Sequence, residues 1–316
     1  MKVLVTPTSF KPDKGGYAMD LLKSFTTDLV FNPTGKPLTE DELIPLLADC
    51  DGYIAGLDFV TRKVIENAPK LKVISRYGAG VDRVDLAAAK EKGIVVCNTP
   101  GVNANAVADL TFALLLSIAR RVPFLDRKTK EGEWPRSNGF ELYGKTIGLL
   151  GLGAVGKGVA KRALGFSMKP MAFDPYIDRA FAEAHGIAVA SFDDVIKEAD
   201  FISLHLPLLD ETRNIVNEHV MKAMRKGTVI INTSRGGLID EKAAYELLKS
   251  GHLGGMGLDA FEKEPPGPSP LFELDNVVVT PHTGAHTTEA TNGMADGSVK
   301  NLIDVLTGRK NPNIVN

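Results

Sequence analysis

The sequence predicts an α/β protein built on doubly wound parallel sheets, and three observations carry that prediction. Short β-branched runs alternate with helical patterns along the whole chain, the order that a parallel sheet covered by helices requires. A second strand–helix series starts afresh at Thr146, after a long apolar helix. At its start a glycine-rich turn stands between a strand and a helix. With 316 residues there is room for two domains of ordinary size.

The first series reads as strands at Val3–Val5, Leu29–Phe31, Tyr53–Ala55, Lys72–Ser75 and Val95–Cys97. Between them, Glu40–Ala48 reads as a helix with Thr39 as N-cap, and Leu86–Lys92 as one that Gly93 ends. Asn103–Arg121 holds neither Gly nor Pro and is largely apolar, which predicts a long buried helix stopped by Pro123. A helical stretch to about Lys130 and a loop at Glu133–Gly139 follow.

The second series reads as strand Thr146–Leu150, helix Val155–Leu164, strand Pro170–Phe173 and helix Arg179–His185. Strands at Phe201–Leu204, Thr228–Asn232, Gly255–Leu258 and Val277–Val279 come next, and a helix from about Thr288 to Leu306 closes the pattern. Pro265–Pro270 is a local turn rather than a linker, and no short-period repeat occurs.

Bulk chemistry excludes several classes. A 44% hydrophobic and 24% charged composition is that of a folded chain, not a disordered one. The formal charge of -2 offers no electrostatic footprint for nucleic acid or an anionic membrane. No run approaches eighteen apolar residues, so no membrane helix is expected. Cys50 and Cys97 lack a CxxC spacing or a nearby His, and read as buried free thiols, not as a disulfide or metal site. The apolar start Met1–Val5 is too short for a signal peptide, which leaves the cytoplasm as the expected compartment.

The first chemical motif is Gly151-Leu-Gly153-Ala154-Val155-Gly156. A bare GxGxxG says little, but this one follows an apolar strand and opens a helix. Gly151 allows the tight turn, Gly153 lets the backbone approach a pyrophosphate, and Gly156 lets the helix pack on the strand. The N–H groups of Ala154 and Val155 then meet phosphate at the positive helix end. Asp174 ends the next strand, where an acid accepts ribose hydroxyls and repels a 2′-phosphate; the expected cofactor is therefore NAD. The plainer reading of Asp174 is a turn residue before Pro175.

Downstream lie Asn232-Thr-Ser-Arg235, Leu258-Asp259-Ala-Phe-Glu262-Lys-Glu264 and Thr280-Pro-His282-Thr-Gly284. Each follows a strand, so each faces the ligand crevice of a doubly wound sheet. An Arg grips a carboxylate in bidentate fashion, a His removes a hydroxyl proton, and a carboxylate beside it favours the imidazolium. Together these suit interconversion of a 2-hydroxy acid and a 2-keto acid. Singly, Arg235, Glu264 and His282 are ordinary loop residues. His205 and His286 compete for the catalytic role; His205, in Leu204-His-Leu206-Pro207, reads as a cofactor-side neighbour. A third motif, Ser75-Arg76-Tyr77-Gly78-Ala79-Gly80-Val-Asp82, is either an anion-binding nest of backbone N–H groups or simply a glycine-rich turn.

In this order the three motifs resemble the D-isomer-specific 2-hydroxyacid dehydrogenases, and within them most the phosphoglycerate dehydrogenases, from about Leu38 onward. Asn98-Thr-Pro-Gly101, Trp134–Phe140 and Gly144-Lys145-Thr146 add to the similarity. The resemblance implies two Rossmann-like domains: a discontinuous substrate-binding domain, residues 1–98 and 286–316, and an NAD-binding domain, residues 99–285. It implies Arg235 on the substrate carboxylate and carbonyl, His282 as acid/base and Glu264 as its partner. It places Tyr77, Gly78, Ala79 and Gly80 around the substrate carboxylate, with N–H groups from Ala79 and Gly80. Cofactor contacts would come from Gly151 to Gly156, Asp174, Leu206, Pro207, Thr212, Thr233, Ser234, Asp259 (on the nicotinamide carboxamide), Gly284 and Ala285. A homodimer formed through the cofactor domain is implied as well.

Two departures from the resemblance matter. Phosphoglycerate dehydrogenases place a phosphate-binding arginine just before Gly56, where this chain has Ala55, and Asp58 follows closely, an acid expected to repel phosphate. Arg136, reaching across a dimer, would compensate. With the sequence ending at Asn316, a serine-sensing regulatory domain is not expected. A cofactor-sensing corepressor of the same fold keeps the same Arg, Glu and His, and a phosphite dehydrogenase uses a similar set, so both stand as alternatives. A formate dehydrogenase pairs its His with Gln, which Glu264 disfavours.

Overall fold

The computed structural model describes residues 1–13 and 15–316. The chain divides into two compact units, Met1–Asn103 with His286–Asn316, and Ala104–Ala285. The first unit runs to Asn103, five residues past the expected limit at 98. Thr99 belongs to it because its N–H donates to the Gly78 carbonyl and its Oγ1 accepts the Gly78 N–H, both at 3.0 Å.

The first unit holds a five-stranded parallel sheet: β1 (Val3–Val5), β2 (Leu29–Phe31), β3 (Gly52–Ala55), β4 (Val73–Arg76) and β5 (Val95–Cys97), in the order β2-β1-β3-β4-β5. Its strands are apolar at nearly every position because helices cover both faces. Leu4, Tyr53, Ile74 and Val96 are wholly buried on one side with Leu43 and Leu47 of the helix Glu40–Leu47. Thr39 and Glu42 form a full capping box at the start of that helix. The helix Thr288–Leu306 covers the other side, with Leu302 wholly buried and reaching the Gly52 backbone. Each such leucine contributes about 1.5–3 kcal/mol through burial. Order reverses between β1 and β3, which makes the loops after them the open edge of this sheet.

The second unit holds seven parallel strands: β6 (Thr146–Leu150), β7 (Lys169–Phe173), β8 (Ala188–Val189), β9 (Phe201–Leu204), β10 (Val229–Asn232), β11 (Gly255–Leu258) and β12 (Val277–Val279). Their order is β12-β11-β10-β9-β6-β7-β8, so the winding reverses between β6 and β9. The helix Ala104–Ala119 is buried on ten of its positions and packs on this sheet, the expected fate of a largely apolar helix.

Pro123 does not stop that helix. The helix ends at Ala119, Arg121 takes a left-handed conformation (φ 53°), and Pro123 sits in the first turn of the next helix, Val122–Lys130. A proline there forfeits nothing, since first-turn N–H groups have no acceptor within the helix. Helices at Tyr17–Phe25, Arg62–Glu66, Phe192–Glu198, Glu218–Ala223 and Glu241–Lys249, and the edge strand β8, add to the elements expected. Three of these helices carry N-caps, Ser191, Asn217 and Asp240, which were readable as start signals.

Candidate active site

The glycine turn follows β6 at the point where the sheet reverses. Gly151 has φ 103°, and a Cβ there would stand 2.6 Å from the His205 carbonyl oxygen. A Cβ on Gly156 would stand 2.2 Å from the Gly151 oxygen, so turn and helix close only on glycine. Gly153 differs: no heavy atom lies within 4 Å of where its Cβ would be. That open side and the unpaired first-turn N–H groups of the helix Ala154–Gly165 fit a pyrophosphate. Asp174 sits at the rim, its two oxygens accepting the N–H groups of Leu152 and Tyr176 at 2.8 Å each. Carboxylate oxygens have further lone pairs for ribose hydroxyls.

His205 lies beneath this turn. Its side chain is buried, Nε2 is 2.9 Å from Ser203 Oγ, and burial pushes its pKa down to about 3. A neutral, enclosed imidazole is no acid/base for a bound substrate. Leu206 is buried beside it, and the Thr212 hydroxyl donates to the Pro207 carbonyl (2.7 Å) and accepts the Leu209 N–H (2.8 Å), closing that loop.

After β10 the wholly buried Asn232 shapes the turn, accepting the Ser234 N–H (3.0 Å) and donating to the Arg235 carbonyl (2.8 Å). Thr233 meets the hydroxyl of Thr111 (2.9 Å), and Ser234 donates to the Leu204 carbonyl (2.6 Å). Arg235 leaves this turn with one guanidinium nitrogen on the Ser234 carbonyl (2.8 Å). Gly236 then lies against the backbone that carries Glu264: a Cβ on it would be 1.8 Å from the Phe261 carbonyl carbon. Glu241 ties the same two loops, accepting the Glu262 N–H at 2.8 Å. Burial, and then Glu262 and Glu264, push the Glu241 pKa upward.

The third contribution follows β12. His282 has a left-handed backbone (φ 53°), and its Nδ1 lies 2.8 Å from Oε1 of Glu264. The same Glu264 oxygen accepts the Phe261 N–H at 3.2 Å. Both side chains are mostly shielded, 25% and 16% exposed, which strengthens their attraction relative to a surface pair. Asp259 is buried (1% exposed) and accepts from Thr280 Oγ1 (2.6 Å), Thr283 N–H (2.8 Å) and Gly284 N–H (2.8 Å). Asn232, Glu241 and Thr111 were not among the expected site residues. Nothing local marks a residue whose only task is to hold a neighbouring loop.

In the first unit, the Tyr77–Gly80 loop follows β4. The Tyr77 N–H donates to the Ala55 carbonyl (3.0 Å) and the Gly78 N–H points inward to Thr99. The Tyr77 hydroxyl donates to the Thr291 carbonyl at 2.8 Å. Only Ala79 and Gly80 therefore offer N–H groups outward. Asp58 overturns an expectation. It is 2% exposed and accepts the hydroxyls of Thr6 and Tyr53 and the Leu38 N–H, so it presents no charge to a ligand. Burial and the adjacent Asp58 push the Tyr53 pKa up. A buried carboxylate must satisfy its oxygens internally, and this loop folds inward to do so.

Residues 112–284 match the model of the D-isomer specific 2-hydroxyacid dehydrogenase NAD-binding domain. The chain is 46% identical over 283 residues to D-3-phosphoglycerate dehydrogenase of Methanocaldococcus jannaschii, covering 88% of this chain and 54% of that one. It thus spans about half the length of that relative. It is 44% identical over 326 residues to glyoxylate reductase of Thermococcus litoralis, covering 100% of this chain and 97% of that protein. Among solved structures, D-lactate dehydrogenase of Aquifex aeolicus, complexed with NAD and lactic acid, superposes with a TM-score of 0.87 at 28% identity, over 99% of both chains.

Proposed function

This chain belongs to the D-isomer specific 2-hydroxyacid dehydrogenases, and from that premise we propose that it interconverts a short, unphosphorylated 2-keto acid and its D-2-hydroxy acid. NAD, when bound, supplies or accepts the hydride at C2. The carrying observation is the 2.8 Å contact between His282 Nδ1 and Glu264 Oε1. With Nδ1 turned to the carboxylate, Nε2 is the nitrogen left to exchange a proton with the substrate oxygen. On reduction, Nε2 gives its proton to the carbonyl oxygen as hydride reaches C2; on oxidation it takes the hydroxyl proton, and Glu264 stabilises the imidazolium. Arg235 grips the substrate carboxylate and polarises the adjacent carbonyl. Asp174 holds the adenine ribose; Gly151 to Gly156 hold the pyrophosphate. Leu206, Pro207, Thr212, Thr233, Ser234, Asp259, Gly284 and Ala285 complete the cofactor side.

Preference for an unphosphorylated acid rests on residues around β3. Ala55 stands where a phosphate anchor would be, and Arg76 is turned inward, 5% exposed, to the carbonyls of Ala55 and Tyr77 (3.0 Å each). NADH oxidation with paired acids, such as hydroxypyruvate and its phosphate ester, tests this. A large preference for the ester overturns it. His282→Ala tests the chemistry: turnover falls about 10²-fold or more while NADH affinity is kept. Unchanged turnover rejects the assignment.

We also read the protein as a cytoplasmic homodimer. Trp134 (79% exposed), Tyr143 (74%) and Val122 (51%) bring large apolar area to the surface of the second unit. Both cysteines are free and buried, and no described helix is long and apolar enough to cross a membrane. Light scattering on wild type and Trp134→Ala tests the dimer; a wild-type monomer refutes it.

A further inference from the structure

The Tyr77–Gly80 loop is held from behind by a row of amides. Asn98, just after β5, donates from Nδ2 to the Ala79 carbonyl at 2.8 Å. Its own carbonyl accepts from Asn301 Nδ2 (2.7 Å), and its N–H donates to the Asn313 carbonyl (3.1 Å). Asn301, 2% exposed on the helix Thr288–Leu306, accepts at Oδ1 from Asn311 Nδ2 (2.9 Å) and Asn313 Nδ2 (3.0 Å). Beside Asn98, the Thr99 N–H donates to the Gly78 carbonyl at 3.0 Å.

The peptide group converts these contacts into aim. The Ala79 carbonyl and the Gly80 N–H share one rigid plane, as do the Gly78 carbonyl and the Ala79 N–H. In a trans peptide the two groups point in opposite directions, and the cis bond identified is Glu264–Pro265. Fixing the two carbonyls on Asn98 and Thr99 therefore turns each N–H the opposite way, away from those residues. A segment serving only to cover the β5 edge needs no more than the pairing of Val315 with Val96 and of Asn316 with Ile94 and Val96. The branch from Asn301 through Asn98 to Ala79 leads away from that edge, and neutral amides, each both donor and acceptor, carry it without placing a charge beside an anion site.

We propose that Asn98 and Asn301 are positioning residues, aiming the Gly80 N–H, while the Thr99 backbone aims that of Ala79, at the carboxylate of the 2-keto acid. This rests on the reading of Ala79 and Gly80 as carboxylate donors. The test uses the full chain, with steady-state kinetics on the preferred keto acid, NADH affinity by fluorescence, and Tm. Asn98→Ala raises KM for the keto acid about tenfold, equivalent to about 1.4 kcal/mol, while NADH affinity holds. Asn301→Ser gives a smaller shift in the same sense and stands in should Asn98→Ala fail to fold. Gly80→Pro, which deletes the N–H itself, separates the two readings. If it raises KM and the asparagine variants do not, the relay is overturned and the carboxylate donors stand. If it leaves KM unchanged, both fall. A drop in Tm with keto acid KM unchanged, or with NADH affinity lost in parallel, assigns the asparagines to folding alone and overturns the proposal.

Discussion

Asp259 holds His282 in place without touching it. One oxygen of the Asp259 carboxylate accepts the Thr280 hydroxyl and the Thr283 N–H, and the other accepts the Gly284 N–H, so the residues on both sides of His282 are pinned to one buried group. His282 itself has φ 53°, a conformation non-glycine residues seldom adopt unless their surroundings enforce it.

Asp259→Ala should therefore act on catalysis through geometry. The buried Gly284 N–H loses its acceptor, at about 1–3 kcal/mol, the part-buried Thr283 N–H loses one too, and the imidazole loses its aim. A misplacement near 1 Å is worth about a 10²-fold loss of rate. Turnover and urea denaturation measure the two effects; full kcat in a destabilised variant would show that the pinning is irrelevant to chemistry.

Glu264→Gln keeps the shape of the pair and removes its charge. The imidazolium loses its stabilising carboxylate, so kcat falls by roughly 10²-fold. Steady-state turnover of wild type and variant under one set of conditions reads this directly. Unchanged kcat means the Glu264 charge is not used in the chemistry.

His205 makes acid stability pH-dependent. Burial pushes its folded pKa down to about 3, from the ordinary histidine value of 6.5. The unfolded chain then binds the proton more readily, so stability is full above pH 6.5 and is lost as pH falls toward the folded value. At pH 5 the loss approaches about 2 kcal/mol. Denaturation of wild type and His205→Gln at pH 7 and 5 checks the sign: the difference between them should shrink on acidification.

Asp58→Ala should weaken folding, not change selectivity. It strips partners from Tyr53, Thr6 and Leu38 inside the first unit, about 1–3 kcal/mol for each group left unsatisfied. The ratio of kcat/KM for phosphorylated and unphosphorylated keto acids should stay within about twofold of wild type, well under the tenfold step that about 1.4 kcal/mol would give. A rise in use of the phosphorylated acid would show that Asp58 faces the ligand after all.

Short-range chemistry was enough to specify the parallel α/β architecture and the glycine turn after Leu150, because apolar period, caps and glycine spacing act within a few residues of themselves. It misread Pro123, since a proline ends one helix or begins the next depending on the conformation of the residue before it, here Arg121. Whether Asp58 faces a ligand or an interior, and which groups Asn98 bonds, was decided by partners about twenty to two hundred residues away. A polar side chain carries its chemistry in its own formula, but its direction follows from which distant groups folding leaves without a partner.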